Sequence, residues 1–225
     1  VNYFALPYMA KVHHANGPVA GEYLRATSLI NSLILPALAA IAVLAHDIVS
    51  LLYGSTWLQA APAIPWLCLA YAVSSLFTLS TPALTGVGKP YASIGPTAFL
   101  VFVKIAFAWW LMDGTLRTFA VAIALGQLLS APAMVLMLYR HLGLPVLAWL
   151  KNTLSVFALA ASIGTLCWII RILLPDGWPS ILTIAVTGSA AVIAFVFVSR
   201  ALSLPISHEL QRLFKQLHKK PSPPM

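Results

Sequence analysis

Apolar residues in this chain come in long runs rather than in short amphipathic stripes. Six stretches approach or exceed the roughly 20 apolar residues that a helix needs to cross a bilayer core: Ala26–Leu52, Ala60–Thr85, Ala92–Met112, Thr118–Tyr139, Asn152–Leu174 and Ile181–Ala201. Turn-forming clusters separate them. These are Gly54-Ser55-Thr56-Trp57, Gly86-Val87-Gly88-Lys89-Pro90, Asp113-Gly114, Gly143 with Pro145, and Pro175-Asp176-Gly177-Trp178-Pro179. The connections are short, so sequential helices are expected to be antiparallel neighbours. The pattern predicts an all-α integral membrane protein with about six transmembrane helices. Val1–Met9 reads as the end of an earlier apolar helix, with Pro7 at its exit. The chain starts with Val1 and shows no signal-peptide pattern, so we expect a fragment or a missing start.

Composition narrows the class. Of 225 residues, 60% are hydrophobic and 8% charged, and the mean hydropathy is +0.91. A soluble domain carries about 25% charged residues to stay in water. An ordinary soluble enzyme, a disordered chain and a disulfide scaffold are therefore excluded. Cys68 and Cys167 both lie inside apolar runs and read as small buried residues. The net charge of +8 does not indicate nucleic acid, because the basic residues sit at the ends of apolar runs and in the tail.

Charge also sets orientation. Ten of the 13 basic residues (Lys11, Arg25, Lys89, Arg140, Lys151, Arg200, Arg212, Lys215, Lys219 and Lys220) fall on the side that holds the N-terminus. Only Arg117 and Arg171 fall opposite, with Asp47, Asp113 and Asp176; Lys104 is inside a span. The positive-inside rule then predicts an N-in/C-in topology, as an even number of spans requires. Trp57, Trp109, Trp110 and Trp178 collect at the outer boundary like an interfacial belt. Asn16-Gly17-Pro18 is a plausible helix start, with Asn as cap, leading through Glu22, Tyr23 and Arg25 into the membrane. In the tail, Ile206, Leu210, Leu213, Phe214 and Leu217 share one helical face. This segment is either a basic amphipathic helix on an anionic leaflet or a tail that only enforces topology. Pro221-Ser222-Pro223-Pro224 is expected to lack regular structure.

Enzyme motifs are poorly represented. His208-Glu209 begins like a zinc helix, but the second His would fall at Arg212. Gly86-Val87-Gly88-Lys89 ends like a phosphate loop, yet Ala83 and Pro90 occupy the Gly and Ser/Thr places, so it reads as a turn. No metal site and no cofactor are expected. Polar groups within the spans are the informative remainder. Lys104 lies a little past the middle of the third span, about 12 Å of helix from its outer end. A Lys there costs ~2.5–3.5 kcal/mol unless it meets protein or water. It either faces a wet cavity or snorkels to an interface. Gln127 lies at similar depth, in a stripe with Ala120, Ala124 and Ala131 that allows close packing or leaves room for a lumen. Ser74, Thr78, Thr81 and Thr85 are spaced by four, three and four residues. This hydroxyl stripe lines a hydrophilic passage, or its members bond their own helix backbone. Pro36, Pro82 and Pro132 are expected to bend or weaken their helices.

The first 150 residues resemble the second half of bacterial oligosaccharide flippases, the polysaccharide-biosynthesis exporters of the multidrug/oligosaccharidyl-lipid/polysaccharide superfamily. The similar stretches are Leu6-Pro7, Glu22-Tyr23-Leu24-Arg25-Ala26-Thr27, a helix with Pro36, and Leu44-Ala45-His46-Asp47-Ile48-Val49. They continue with Leu52-Tyr53-Gly54, Trp57, Ala60-Ala61-Pro62 and Gly86-Val87-Gly88-Lys89-Pro90. The resemblance implies the second lobe of a two-lobed, multi-pass protein of the bacterial inner membrane, whose missing N-terminal lobe is a partner along with membrane lipids. It implies a lipid-linked (undecaprenyl-diphosphate) oligosaccharide as cargo, moved by alternating access through a hydrophilic cavity. The chain then divides into 1–25 (helix end and cytoplasmic linker), 26–151 (flippase lobe, four spans), 152–202 (two further spans) and 203–225 (basic tail). Our own assignment gives Lys104, Gln127 and Arg25 to the cargo, and Ser74, Thr78 and Thr81 to the cavity lining. For a coupling ion, Lys104 is the one ionisable candidate inside a span, with His46-Asp47 near the outer end. A polytopic membrane enzyme of envelope synthesis, such as a sugar or acyl transferase, or another kind of transporter remains as an alternative.

Overall fold

The computed structural model describes residues 2–15, 17–111, 113–175 and 178–201. Among them every regular element is helical: α1 (Asn2–His14), α2 (Val19–Val43), α3 (Ala45–Tyr53), α4 (Ile64–Ser75), α5 (Ser80–Gly86), α6 (Ile94–Trp110), α7 (Leu116–Leu142), α8 (Val146–Leu173) and α9 (Ser180–Ala201). Short 3₁₀ segments, Ser55–Ala63 and Pro90–Ser93, lead into α4 and α6. Six helical stretches are long and apolar enough to cross a membrane: Val19–Val43, Ser55–Gly86, Pro90–Trp110, Leu116–Leu142, Val146–Leu173 and Ser180–Phe197. The chain is an all-helical, multi-pass membrane protein. The tail with Ile206, Leu210 and Leu217, and the cap candidate Asn16, lie outside the described residues.

Three boundaries differ from the sequence reading. α1 runs through Pro7 to His14 instead of ending near Pro7. The first span starts at Val19, with Pro18 as N-cap and no side-chain cap, and stops at Val43. There the backbone kinks at Leu44 (φ −87°, ψ 9°). α3 continues as a separate short helix that buries Ala45, Asp47 and Val49 and exposes Leu52 and Tyr53. The single apolar run concealed that kink because both sides of it are apolar. The second span is the largest departure. α4 ends at Ser75, residues 76–79 form a turn, and α5 restarts at Ser80. Pro82 offers no N–H to the carbonyl of Thr78, four residues earlier, and its ring crowds that carbonyl. α2 and α7 run unbroken through Pro36 and Pro132.

Packing centres on α2, which lies between α4 and α8, while α7 sits between α4 and α6. The largest core cluster gathers Met9, Tyr23, Phe77, Leu84, Met137 and Leu138 around the α4–α5 break. α1 packs on α5 so closely that a Cβ on Gly86 would lie 3.0 Å from Ala10 N and 3.1 Å from Met9 Cβ. Gly88 follows with φ 76°. Lys89 N then bonds Leu84 O at 2.9 Å and closes the helix as a turn. α8 and α9 are integral to the bundle, packing against α2 and α3. α6 is peripheral: it rests chiefly on α7 and buries only Val103. Its exposed Phe99, Phe102, Ile105, Trp109 and Trp110 suit a lipid surround.

Candidate functional site

Lys104 projects from α6 onto α7 at the one place where α7 has no side chain. A Cβ on Gly126 would come within 2.7 Å of Lys104 Cγ and 3.1 Å of its Cα. The Lys stem therefore fills the gap that glycine leaves, and the residue is half-buried. Among the described residues no hydrogen bond or ion pair reaches its ammonium. Gln127, next to Gly126, is 4% exposed and its Oε1 has no protein partner. Ala120 and Ala124 are buried with it, whereas Ala131, the last of the stripe, is half-buried and lines a groove between α7 and α8.

The hydroxyl residues do not form the stripe that their spacing suggests. A helix that stops at Ser75 and restarts at Ser80 loses its angular register between them. Thr78 and Thr81 are exposed and Ser74 half-buried, whereas Ser75 and Ser80 are buried. The structure thus leaves Thr78 and Thr81 exposed about the restart of the helix with Ser74 half-buried before it, and sets Lys104 against Gly126, the chain neighbour of Gln127. Arg25 is exposed at the start of α2. There Tyr8 donates its hydroxyl proton to Glu22 Oε2 at 2.7 Å. The Glu22 carboxylate holds the Tyr8 phenol above its ordinary range, while Arg25 pulls the other way.

The break itself carries a polar junction that the sequence reading overlooked. Tyr23, fully buried, donates to Leu76 O at 3.1 Å. Asn31, 1% exposed, donates through Nδ2 to Thr27 O at 2.8 Å and to Ser75 O at 3.4 Å. Ser75 Oγ lies 2.5 Å from Asn31 Oδ1 and 2.8 Å from Ala72 O, and its one proton can serve either. Side chains of α2 thus donate to carbonyls at the break, Tyr23 to Leu76 O and Asn31 to Ser75 O, which also accepts from Thr78 N at 3.3 Å, as nonhelical backbone at membrane depth demands. An amide in an apolar run, Asn31, was the available signal, together with Pro82.

Ion pairs and polar contacts mark the two ends of the bundle. At one end Lys89 Nζ donates to His141 O at 3.3 Å. At the other, Arg171 Nε donates to Asp47 Oδ2 at 2.8 Å. The larger grooves lie elsewhere and are predominantly apolar. One of about 840 Å³ lies between α7 and α8, one of about 820 Å³ runs between α2, α4 and α8, and another of about 710 Å³ between α2, α8 and α9. None of the three is lined by Lys104 or Gln127.

Comparison with curated proteins and with solved structures gave no match. Residues 1–62, which hold α1, α2, α3 and nearly all of the 3₁₀ segment before α4, match the model of a family described as polysaccharide biosynthesis protein. The stretches from Leu6 to Pro62 that carry the resemblance fall within this match, and Gly86–Pro90 falls beyond it. With its six candidate spans, the chain is a multi-pass membrane protein that residues 1–62 connect to polysaccharide biosynthesis.

Proposed function

We propose that this chain forms a helical lobe of a translocator for a lipid-linked, undecaprenyl-diphosphate oligosaccharide in the bacterial inner membrane. The movement is alternating access, and the chain acts with a further lobe of the same protein. A diphosphate cannot cross hydrocarbon unassisted, because burying unpaired charge is too costly. A cation held at membrane depth lowers that barrier. Lys104 carries the reading: it stands within a span, its stem is seated over Gly126, and no protein carboxylate among the described residues neutralises it. Lys104 meets the anionic head at depth, and Arg25 attracts it at the cytoplasmic mouth. Gln127 Oε1, closed off in this conformation, is the acceptor that becomes available to Lys104 or a sugar hydroxyl when α6 and α7 part. The broken α4–α5 segment supports the same reading, since a helix interrupted inside the bundle bends at lower cost than a continuous one.

The test is complementation of a flippase-deficient strain by the full-length protein carrying Lys104→Arg or Lys104→Ala. Arg keeps the charge and is expected to restore surface polysaccharide, whereas Ala leaves lipid-linked sugar on the cytoplasmic face. Normal surface polysaccharide with Ala removes Lys104 from the mechanism.

A further inference from the structure

The connection from α7 to α8 leaves a gap between the two helices. Gly143, at φ 67°, ends α7, and Leu144 N reaches back to Leu138 O at 3.4 Å. Leu144 is fully buried, and Pro145 starts α8 directly after it. α8 then packs on α2 and α9, whereas α7 packs on α4 and α6, so these consecutive helices scarcely meet. The space between them is the groove of about 840 Å³. Its floor, Ala131, Val135 and Trp149, rests on the main core cluster. Its sides, Leu128, Tyr139 and Val146, are exposed. Leu128 stands at the middle of α7 and Tyr139 near its end, about 16 Å apart along the axis. That is the depth of one leaflet of a roughly 30 Å hydrocarbon core.

The groove changes character at its end. Tyr139 and Trp149 stand there, as amphipathic rings do at headgroup level. Arg140 follows on α7, and Lys151 lies within the first two turns of α8, both exposed. Lys89 joins them at the end of α7, where its Nζ donates to His141 O at 3.3 Å. Among the described residues no carboxylate pairs with these three cations. Asp47 and Asp113 lie at the opposite end of the bundle, and Glu22 accepts from Tyr8. An apolar channel one leaflet long thus ends under an uncompensated positive rim, on the side that the positive-inside rule gives to the cytoplasm. We propose that the groove holds one anionic phospholipid of the cytoplasmic leaflet. An acyl chain lies along α7 from Tyr139 to Leu128, and the phosphate sits in the field of Arg140, Lys151 and Lys89. The lipid fills the gap that the chain leaves between α7 and α8. Neither Lys104 nor Gln127 lines the groove, so the site does not depend on the cargo reading.

Native mass spectrometry of the full-length protein, offered phosphatidylglycerol and phosphatidylethanolamine at equal concentration, provides the test. The parent is expected to retain one phosphatidylglycerol in preference to phosphatidylethanolamine. Each cation near the surface favours an anionic head by about fivefold. Arg140→Gln and Lys151→Gln should therefore each lower phosphatidylglycerol retention about fivefold and leave phosphatidylethanolamine unchanged. Ala131→Phe fills the floor of the groove and is expected to lower retention of both lipids. Lys11→Gln, on α1, which packs on α5 and α2 and on neither wall, is expected to change nothing. Four results overturn the proposal. Equal retention of both lipids by the parent means a groove that is bare or covered by protein. A loss in Lys11→Gln as large as in Arg140→Gln means a diffuse basic surface. Undiminished phosphatidylglycerol in Ala131→Phe means a headgroup contact without the groove. Displacement of phosphatidylglycerol by an equal concentration of undecaprenyl phosphate gives the groove to the cargo's tail. Should Ala131→Phe fail to fold, the parent's selectivity and the charge variants still decide.

Discussion

Arg171 Nε reaches Asp47 Oδ2 at 2.8 Å across 124 residues of sequence and fastens the far end of α8 to α3. The two side chains are unequally exposed, 35% for Arg171 and 8% for Asp47. Removing either partner therefore has unequal consequences. Arg171→Ala strands a buried carboxylate, while Asp47→Ala leaves a guanidinium that can reach polar surroundings. Between the limits for exposed and buried pairs, we expect a loss of about 1–3 kcal/mol for Arg171→Ala and a smaller one for Asp47→Ala. Thermal unfolding in nanodiscs measures both. Equal effects would show that burial of Asp47 is not what the pair relieves.

The Asn31–Ser75 contact is a hydrogen bond between helices in an apolar surround. Such bonds average about 0.6 kcal/mol and reach about 1.7 by double-mutant cycles. Asn31→Leu and Ser75→Ala are each expected to destabilise, with a coupling inside that range. Tyr23→Phe removes the donor to Leu76 O and is expected to cost about 1 kcal/mol independently. An Asn31–Ser75 coupling of zero would mean that the broken backbone is held by packing alone.

Gly126 sets the approach of α6 to α7. Gly126→Ala places a methyl 2.7 Å from Lys104 Cγ and 3.1 Å from its Cα, so α6 must move or Lys104 must change rotamer. Overpacking of this kind costs about 1–3 kcal/mol. Gly188 has nothing within 4 Å of an added Cβ. Gly188→Ala is therefore a control expected to be neutral or slightly stabilising. Distances between spin labels on α6 and α7 check the displacement, which should grow in Gly126→Ala and not in Gly188→Ala.

Asp113 begins the connection into α7. Its carboxylate accepts from Thr118 Oγ1 at 2.7 Å and from Thr115 N at 2.9 Å, and Thr115 Oγ1 caps Thr118 N at 3.2 Å. The Thr118 hydroxyl, then the Thr115 N–H, hold the Asp113 pKa below its ordinary value. A depressed carboxyl pKa contributes stability above the unfolded value, and that contribution disappears as pH falls through the folded one. The protection factors of amides in the first turn of α7 are expected to hold from neutral pH down to the ordinary Asp range, about pH 4, and to fall below it. Asp113→Asn should flatten this dependence. A first turn whose exchange protection ignores acid in the parent contradicts it.

How much of this was legible beforehand varies by residue. The number of spans and their approximate limits follow from run lengths, because solvation by lipid acts on each segment separately. The turn at Gly86–Pro90 was legible too, since Gly88 needs its positive φ and Pro90 cannot continue a helix. The turn inside the hydroxyl series at Ser74, Thr78 and Thr81 was not legible, because residue spacing has angular meaning only within an unbroken helix. The junction of Tyr23, Asn31 and Ser75 was passed over although Asn31 stood alone in an apolar run.

The amino-acid order alone established a lipid-solvated helical chain, with its six spans and the lone Lys104 at depth, because each depends on the free energy of one segment or side chain in hydrocarbon. It could not establish which of those groups meet. The seating of Lys104 over Gly126, the joining of Asp47 to Arg171, and the capture of the broken helix by Tyr23 and Asn31 all depend on which helix faces which. That choice is made by packing between segments far apart in the chain, and only the assembled bundle contains it.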